Sequence, residues 1–385
     1  MARRVIIVGP AHPLRGGGMA TFNERMAYAF QEEGCEVEIV TFRLQYPAFL
    51  FPGKSQFTTE PAPEGLSIKV LINSINPISW WRTGQYIKKQ KPDLVVFRYW
   101  LPFMGPALGT IARLIRRNKY SRILAITDNV VPHEKRPGDE LLTRYFLGSC
   151  HGFVTLSRSV QQDLERFEPK KPNVYLPHPL YDNFGEAETK EAACAALGLD
   201  STYNYLLFFG FIRAYKGLDL LLQAMADPQV QELSNLKLIV AGEFYEDVAP
   251  YQQLIEQLQL QDRLILRTDF IPNAEVRHYF CAADLVVQPY KHATQSGVTQ
   301  VAYHFDKPMV VTRVGGLSEL VPHGEVGYVV EPQPQAIAAA IHHFYTSVEA
   351  AILSGNISKY KKRFSWSRFV NSVWQLADSI KLKNV

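Results

Sequence analysis

Short runs of β-branched and other apolar residues alternate along this chain with longer stretches whose apolar positions recur near helical spacing. Residues 5–8, 37–40, 94–97, 123–126 and 153–156 read as buried strands. Residues 21–33 read as a helix that ends at Gly34, a suitable C-cap, and 108–117 as a second helix. Strand, helix, strand in repetition predicts βαβ units and a mostly parallel sheet. The pattern restarts after residue 180. Residues 205–209, 238–241, 264–267, 285–288 and 309–312 predict strands, and 218–225 a helix. Between the two series lie Pro177-His178-Pro179 and a small, charged, helical stretch at 186–197. The expectation is an α/β chain of two Rossmann-like domains, 1–180 and 181–366, with no short internal repeat. In open parallel sheets, ligands bind beyond the carboxyl ends of the strands. Two such domains are expected to face each other across a central cleft, which suits a reaction between two substrates with little water.

Composition narrows the class. A chain of 385 residues suggests two or three domains, and 47% hydrophobic residues exclude a disordered or collagen-like protein. The formal net charge of +4 divides unevenly. Residues 1–180 hold 24 Lys+Arg against 15 Asp+Glu, a net of +9, and residues 181–385 hold 17 against 22, a net of −5. The four cysteines, Cys35, Cys150, Cys194 and Cys281, are scattered without CxxC or Cys/His spacing. Neither a disulfide framework nor a zinc knuckle is expected, and a reduced, cytoplasmic compartment fits. No apolar run approaches the ~18 residues of a membrane span. The N-terminus begins like a signal peptide, but its apolar run stops at Gly9-Pro10, so it reads as a first buried strand. A net of +9 over the first 180 residues, with no recognition motif, argues against a nucleic-acid partner.

Four segments carry candidate chemistry. Arg15-Gly16-Gly17-Gly18-Met19 follows the first strand and opens the first helix, where glycines let backbone approach a ligand and a helix N-terminus favours an anion. The glycines are consecutive, so this is neither a GxGxxG fingerprint nor a Walker A loop; a flexible loop is the plainer reading. In Gly210-Phe211-Ile212-Arg213-Ala214-Tyr215-Lys216-Gly217 a strand ends on glycine, and two cations three residues apart precede a helix. Arg213 as a planar fork and Lys216 as a point charge could converge on a diphosphate; otherwise they are solvated loop cations. His292-Ala293-Thr294-Gln295-Ser296-Gly297-Val298 offers hydroxyl and backbone donors before a helix, for phosphate oxygens or for ordinary N-capping by Thr294 or Ser296. In Gly315-Gly316-Leu317-Ser318-Glu319, Glu319 could accept from sugar hydroxyls or complement a helix dipole.

Together these segments resemble the retaining GT-B glycosyltransferases of the large family 4 type (glycosyl transferases group 1), over nearly the whole chain. Gly16 to Gly18 looks like the glycine-rich loop of that family's acceptor domain. Gly210 through Lys216-Gly217 resembles its glycine, five residues, Lys-Gly element, and Phe270-Ile271-Pro272 the segment that leads into its donor loop. Pro308-Met309-Val310-Val311 with Gly315 to Val321 is similar to its "PVV…GGxxE" stretch, and Phe364-Ser365-Trp366 to the element before its last helix. The resemblance implies a GT-B fold in which the last helix, about 367–382, crosses back to the N-terminal, acceptor-binding domain. It implies a C-terminal domain that binds a nucleotide sugar. Sugar transfer with retention would follow, with Arg213 and Lys216 as the catalytic cations. Donor-binding positions would be Gly17, Gly18, Gly210, Gly242, Ile271, Thr294, Gln295, Ser296, Gly297, Val298 and Glu319.

This chain also departs from the family pattern. Where members carry two donor-loop glutamates, an ungapped count finds Ala293 and Val301, with Gln295 and Gln300 the nearest polar residues. The usual Arg after the strand-end glycine is Phe211. The usual His at the end of the fourth strand is Asp128, so either His133 takes over on the acceptor or sugar side or that role has changed. No DxD motif is present, so no metal and no cofactor are expected, and the nucleotide-diphosphate sugar is the substrate. The alternative reading is a catalytically weak relative that binds a nucleotide sugar or a partner subunit. For the acceptor, a glycan, a lipid-linked molecule or a small molecule all fit. The basic stretch at 111–122 and the apolar loop at 46–53 suggest contact with the inner face of a membrane, against the plainer reading of a solvated charge run. Trp80-Trp81 reads as a sugar-stacking pair or as buried packing.

Overall fold

The computed structural model describes residues 2–15, 18–47, 55–132, 136–293, 296–347 and 350–382. The chain divides into two compact units, Met1–Pro179 with Ser365–Val385, and Leu180–Phe364.

The first unit is built on seven strands: β1 (Arg4–Val8), β2 (Glu36–Leu44), β3 (Ser67–Asn73), β4 (Leu94–Tyr99), β5 (Arg122–Thr127), β6 (Gly152–Thr155) and β7 (Asn173–Tyr175). All pair in parallel, in the order β3-β2-β1-β4-β5-β6-β7. All six residues of β4 are buried, as expected of a parallel strand covered by helices on both faces. The order reverses between β1 and β4, which opens a crevice at their carboxyl ends.

The C-terminal helix, Trp366–Ser379, belongs to this unit. Ser365 caps it by accepting from the Arg368 amide. Phe22 of the helix Gly18–Glu32 packs edge-on against Trp366 and Phe369, and Phe30 against Trp374. Aromatic pairs of this kind add about 0.5–1.5 kcal/mol each beyond the area they bury. Arg3 completes the joint, stacking on Trp374 and pairing with Asp378 at 3.1 Å.

The second unit has six strands: β8 (Asn204–Phe209), β9 (Leu236–Ala241), β10 (Leu264–Arg267), β11 (Leu285–Gln288), β12 (Met309–Thr312) and β13 (Gly327–Val330). They too are all parallel, ordered β10-β9-β8-β11-β12-β13. The reversal lies between β8 and β11, so the segments after these two strands flank one crevice.

Three strands were not predicted. β3 sits at a sheet edge, is only part-buried, and is offset from β2 by irregularities at Thr41 to Leu44. β7 spans three half-buried residues, and β13 begins on a glycine. The first helix starts at Gly18 rather than near residue 21.

Candidate functional site

The site of the second unit is built at its switch point. From Tyr205, β8 is a continuous apolar run that stops at Gly210. Pairing with the neighbouring strand continues beyond both strand ends: the Gly210 amide donates to Ala241 O, Ile212 N to Glu243 O, and Tyr245 N to Ile212 O, at 2.8–3.0 Å. Gly242 makes this possible, because a Cβ there would run into the Gly210 carbonyl. A 3₁₀ turn, Ala214–Lys216, then leads into Gly217 at φ 69°. A side chain at Gly217 would collide with the Pro289 carbonyl after β11, so only glycine lets the helix Leu218–Met225 start so close. Lys291 knits the two segments further, its amide donating to Tyr215 O at 2.7 Å and its ammonium pairing with Asp219 at 2.7 Å.

Two cations gather at this point. The Lys216 ammonium lies 3.0 Å from where a Cβ on Gly210 would stand, and Val298 Cγ2 lies 3.8 Å from the same point. Val298 is in the first turn of the helix Gly297–His304, so that turn and the ammonium meet over Gly210. Lys216 is half-buried, 5.7 Å from the Tyr290 ring centroid. Burial first, and the nearby Arg213 second, push its pKa down to about 8. Arg213 is exposed and lies over the Tyr245 ring at 5.3 Å. No carboxylate of the described residues offsets Lys216. Lys216 lies just before the helix Leu218–Met225 and beside the first turn of Gly297–His304, with Arg213 close enough to lower its pKa, an arrangement that can hold a polyanion.

Gly210, Arg213, Lys216, Gly242 and Val298 come together. Ser296 stands at the N-cap position, but its side chain caps nothing and lies 3.3 Å from the Tyr290 hydroxyl, against the expectation of ordinary capping. A Cβ on Gly297 would reach within 2.7 Å of Tyr181. Thr294 and Gln295 lie outside the described residues. Ile271 is half-buried in the loop after β10, and Glu319 is exposed on the short helix Leu317–Leu320 after β12. Val301, at one of the family's donor-loop glutamate positions, is buried in the helix Gly297–His304 and only 4% exposed. Gln300 beside it is fully buried, and neither amide atom has a hydrogen-bond partner among the described residues.

In the first unit, Gly18 opens the first helix, while Gly17 and His133 lie outside the described residues. Asp128 follows β5, 6% exposed, and Arg98 of β4 grips its carboxylate through Nε at 2.6 Å and through Nη2. Arg98 also lies on the Phe22 ring at 4.0 Å, and its Nη1 has no partner among the described residues. Arg98 is therefore Asp128's immediate partner, which no motif in the sequence marked. The loop before Gly16 is pinned on several sides. Asn23 Nδ2 donates to Pro10 O at 2.9 Å, the Ala11 amide to Thr41 Oγ1 at 3.0 Å, and the His12 amide to Glu24 Oε1 at 2.8 Å. Burial raises the Glu24 pKa to about 7.

The features suggested for membrane contact divide. Residues 48–54 of the apolar loop lie outside the described residues. Arg113 of the basic stretch stacks on Tyr145, and Arg116 donates to Gly148 O, so part of that run is structural. Trp80 is half-buried and donates to Asn73 O at 2.7 Å, whereas Trp81 is exposed.

Comparison with known proteins gives this architecture a class. The backbone matches that of sucrose-phosphate synthase from Thermosynechococcus elongatus with a TM-score of 0.74, at 18% identity, over 98% of both chains. It matches Anabaena HepE, solved in complex with UDP, with a TM-score of 0.72, at 16% identity, over 98% of this chain and 100% of that one. The fold is GT-B, two Rossmann-like domains in one chain. The glycosyl transferases group 1 model matches residues 203–347, and the glycosyl transferase 4-like domain model matches residues 17–178. The chain belongs to this group 1, family 4 type of glycosyltransferase. A D-inositol 3-phosphate glycosyltransferase from Geodermatophilus obscurus is 31% identical over 217 residues, which is 54% of this chain and 47% of that protein. The chain spans about half or less of the length of the curated relatives it first matches.

Proposed function

We propose that this protein transfers a sugar from a nucleotide-diphosphate donor to an acceptor, with retention of configuration and without a metal. The observation that carries this reading is Lys216, with Arg213 near it and no counter-carboxylate among the described residues, at two helix N-termini of the second unit's switch point. When the sugar leaves, negative charge builds up on the diphosphate. Fixed cations and oriented backbone N–H groups stabilise that charge without reorganising, and lost donors of this kind typically cost ~10²–10³ in rate. These groups do the work a metal would otherwise do, which is why none is invoked. That HepE was solved with UDP supports a nucleoside diphosphate as the occupant. Retention is carried by the family type, and no residue is assigned as a nucleophile.

The test is release of nucleoside diphosphate from a panel of nucleotide sugars, in buffer with and without EDTA, with the product's anomeric configuration read by NMR. Turnover is expected to survive EDTA, and the product to keep the donor's configuration. Lys216→Ala and Arg213→Ala should each lower turnover by ~10²–10³ with an unchanged circular dichroism spectrum. Near-wild-type rates in both variants would remove the assignment. The second reading, a nucleotide-sugar binder of little activity, is favoured by the buried Val301 and the unpartnered Gln300. It predicts nucleotide binding without product from any donor.

The acceptor falls to the basic first unit in this reading. Ile75, Ile78 and Trp81 are 54%, 62% and 56% exposed around the start of the helix Pro77–Gln90. Residues 65–92 contain no carboxylate and carry Lys69, Arg82, Lys88, Lys89 and Lys91. Exposed Trp and Ile beside cations suit an anionic lipid surface, and hence a lipid-linked acceptor. No helix of the described residues is long and apolar enough to cross a membrane. Co-sedimentation with phosphatidylglycerol vesicles, lost in Ile78→Glu and Trp81→Glu, tests this contact.

A further inference from the structure

We infer that Tyr245 is a positioning residue, holding the Arg213 guanidinium in place for the donor's diphosphate. The inference rests on the diphosphate reading of the Arg213–Lys216 site. The paired segments beyond β8 and β9 bring residues together that are 32 to 34 positions apart in the chain. Ile212 and Phe244 form a parallel bridge, and the Tyr245 amide donates to Ile212 O at 3.0 Å. Phe211 and Tyr245 then stack, with ring centroids 4.3 Å apart and planes 30° from parallel. The Arg213 guanidinium lies 5.3 Å above Tyr245.

Alternative anchors for Arg213 are occupied. Glu246, a carboxylate of this segment, is engaged elsewhere: its Oε2 accepts from the Ala214 amide at 2.8 Å and its Oε1 from the Tyr251 hydroxyl. Arg213 makes no ion pair among the described residues, so the aromatic face is what holds it. An exposed Arg otherwise samples many rotamers, and a planar, delocalised guanidinium stacks on an aromatic ring in a way an ammonium does not. Phe211 buttresses the Tyr245 ring from its own stack. The chain of support runs from Phe211 to Tyr245 to Arg213, and it leaves Lys216, held at Gly210 and Tyr290, independent.

The experiment measures binding of two probes, inorganic pyrophosphate and UDP, by calorimetry on the full chain. It uses the wild type, Tyr245→Phe, Tyr245→Leu, Arg213→Ala, the Tyr245→Leu/Arg213→Ala double variant and Lys216→Ala. Tyr245→Leu keeps bulk at the site but removes the π face. It should weaken both probes by about 3- to 30-fold. Tyr245→Phe should bind like wild type, and Tyr245→Leu should add nothing once Arg213 is gone. Weakening of UDP alone, with pyrophosphate unaffected, would overturn the inference in favour of a ring that packs against the nucleoside. An undiminished effect in the Arg213→Ala background would also overturn it. If Lys216→Ala binds pyrophosphate as the wild type does, the diphosphate reading itself fails, whatever Tyr245 does.

Discussion

The ammonium of Lys216 stands 3.0 Å from the place a Cβ would take on Gly210, whose φ is +97°. A methyl group there would meet the cation and strain the backbone at once. Gly210→Ala is expected to weaken nucleoside diphosphate binding at least ~10-fold, equivalent to about 1.4 kcal/mol. Calorimetric titration of the variant checks this, and unchanged affinity would separate Gly210 from the site.

Lys216 also sets a pH dependence. Its pKa is pushed from 10.5 down to about 8 by burial and by Arg213. Between pH 7 and 8 diphosphate affinity should hold steady, and above pH 8 it should fall as the ammonium deprotonates; Lys216→Ala should bind weakly with that limb missing. The folded, unliganded protein binds fewer protons at this site than the unfolded chain between about pH 8 and 10.5. Its stability should rise with pH across that window, relative to a Lys216→Met variant. Affinity that stays flat from pH 7 to 9.5 would contradict the assignment.

Glu24 gives the opposite sign. Burial raises its pKa from 4.5 to about 7, with Glu60 adding to the shift and the His12 amide opposing it. The folded state holds the extra proton between those values, so this contribution is present below pH 4.5 and lost as pH rises through 7. Glu24→Gln keeps an acceptor for the His12 amide and removes the buried charge. It should be more stable than wild type at pH 8 and equal to it near pH 4.5, as read from urea unfolding at both values. The same difference at both would refute the burial argument.

The Arg98–Asp128 pair is almost fully buried, at 2% and 8% side-chain exposure. Asp128→Asn leaves the guanidinium buried without a counter-charge, and breaking such a pair typically costs about 3–5 kcal/mol. Replacing both partners, as Arg98→Met with Asp128→Leu, should recover most of that loss. Denaturant unfolding of the two variants measures the difference; a single variant as stable as wild type would mean that the pair contributes nothing.

Much of the fold was legible because buried parallel strands are written as unbroken apolar runs, such as Val5-Ile6-Ile7-Val8 and Leu94-Val95-Val96-Phe97. β3 was not, because Ser67-Ile68-Lys69-Val70 alternates at a half-exposed edge, where burial does not enforce a run. In the site, Gly210 and Gly217 could be read because their backbone geometry admits little else. Tyr245 and Arg98 could not. Each draws its role from a partner just beyond the end of a neighbouring strand, Phe211 for one and Asp128 for the other, and such pairings exist only once the sheet is assembled. The Ser296 hydroxyl illustrates the same limit: its sequence position predicts a cap, but packing turns it toward Tyr290.

The most direct test of the account is equilibrium binding of UDP, ADP and GDP to the wild type, Arg213→Ala and Lys216→Ala at pH 7. At least one of these diphosphates should bind the wild type, and each substitution should weaken it ~10-fold or more. Equal binding by all three proteins, or no binding of any diphosphate to the wild type, would contradict it.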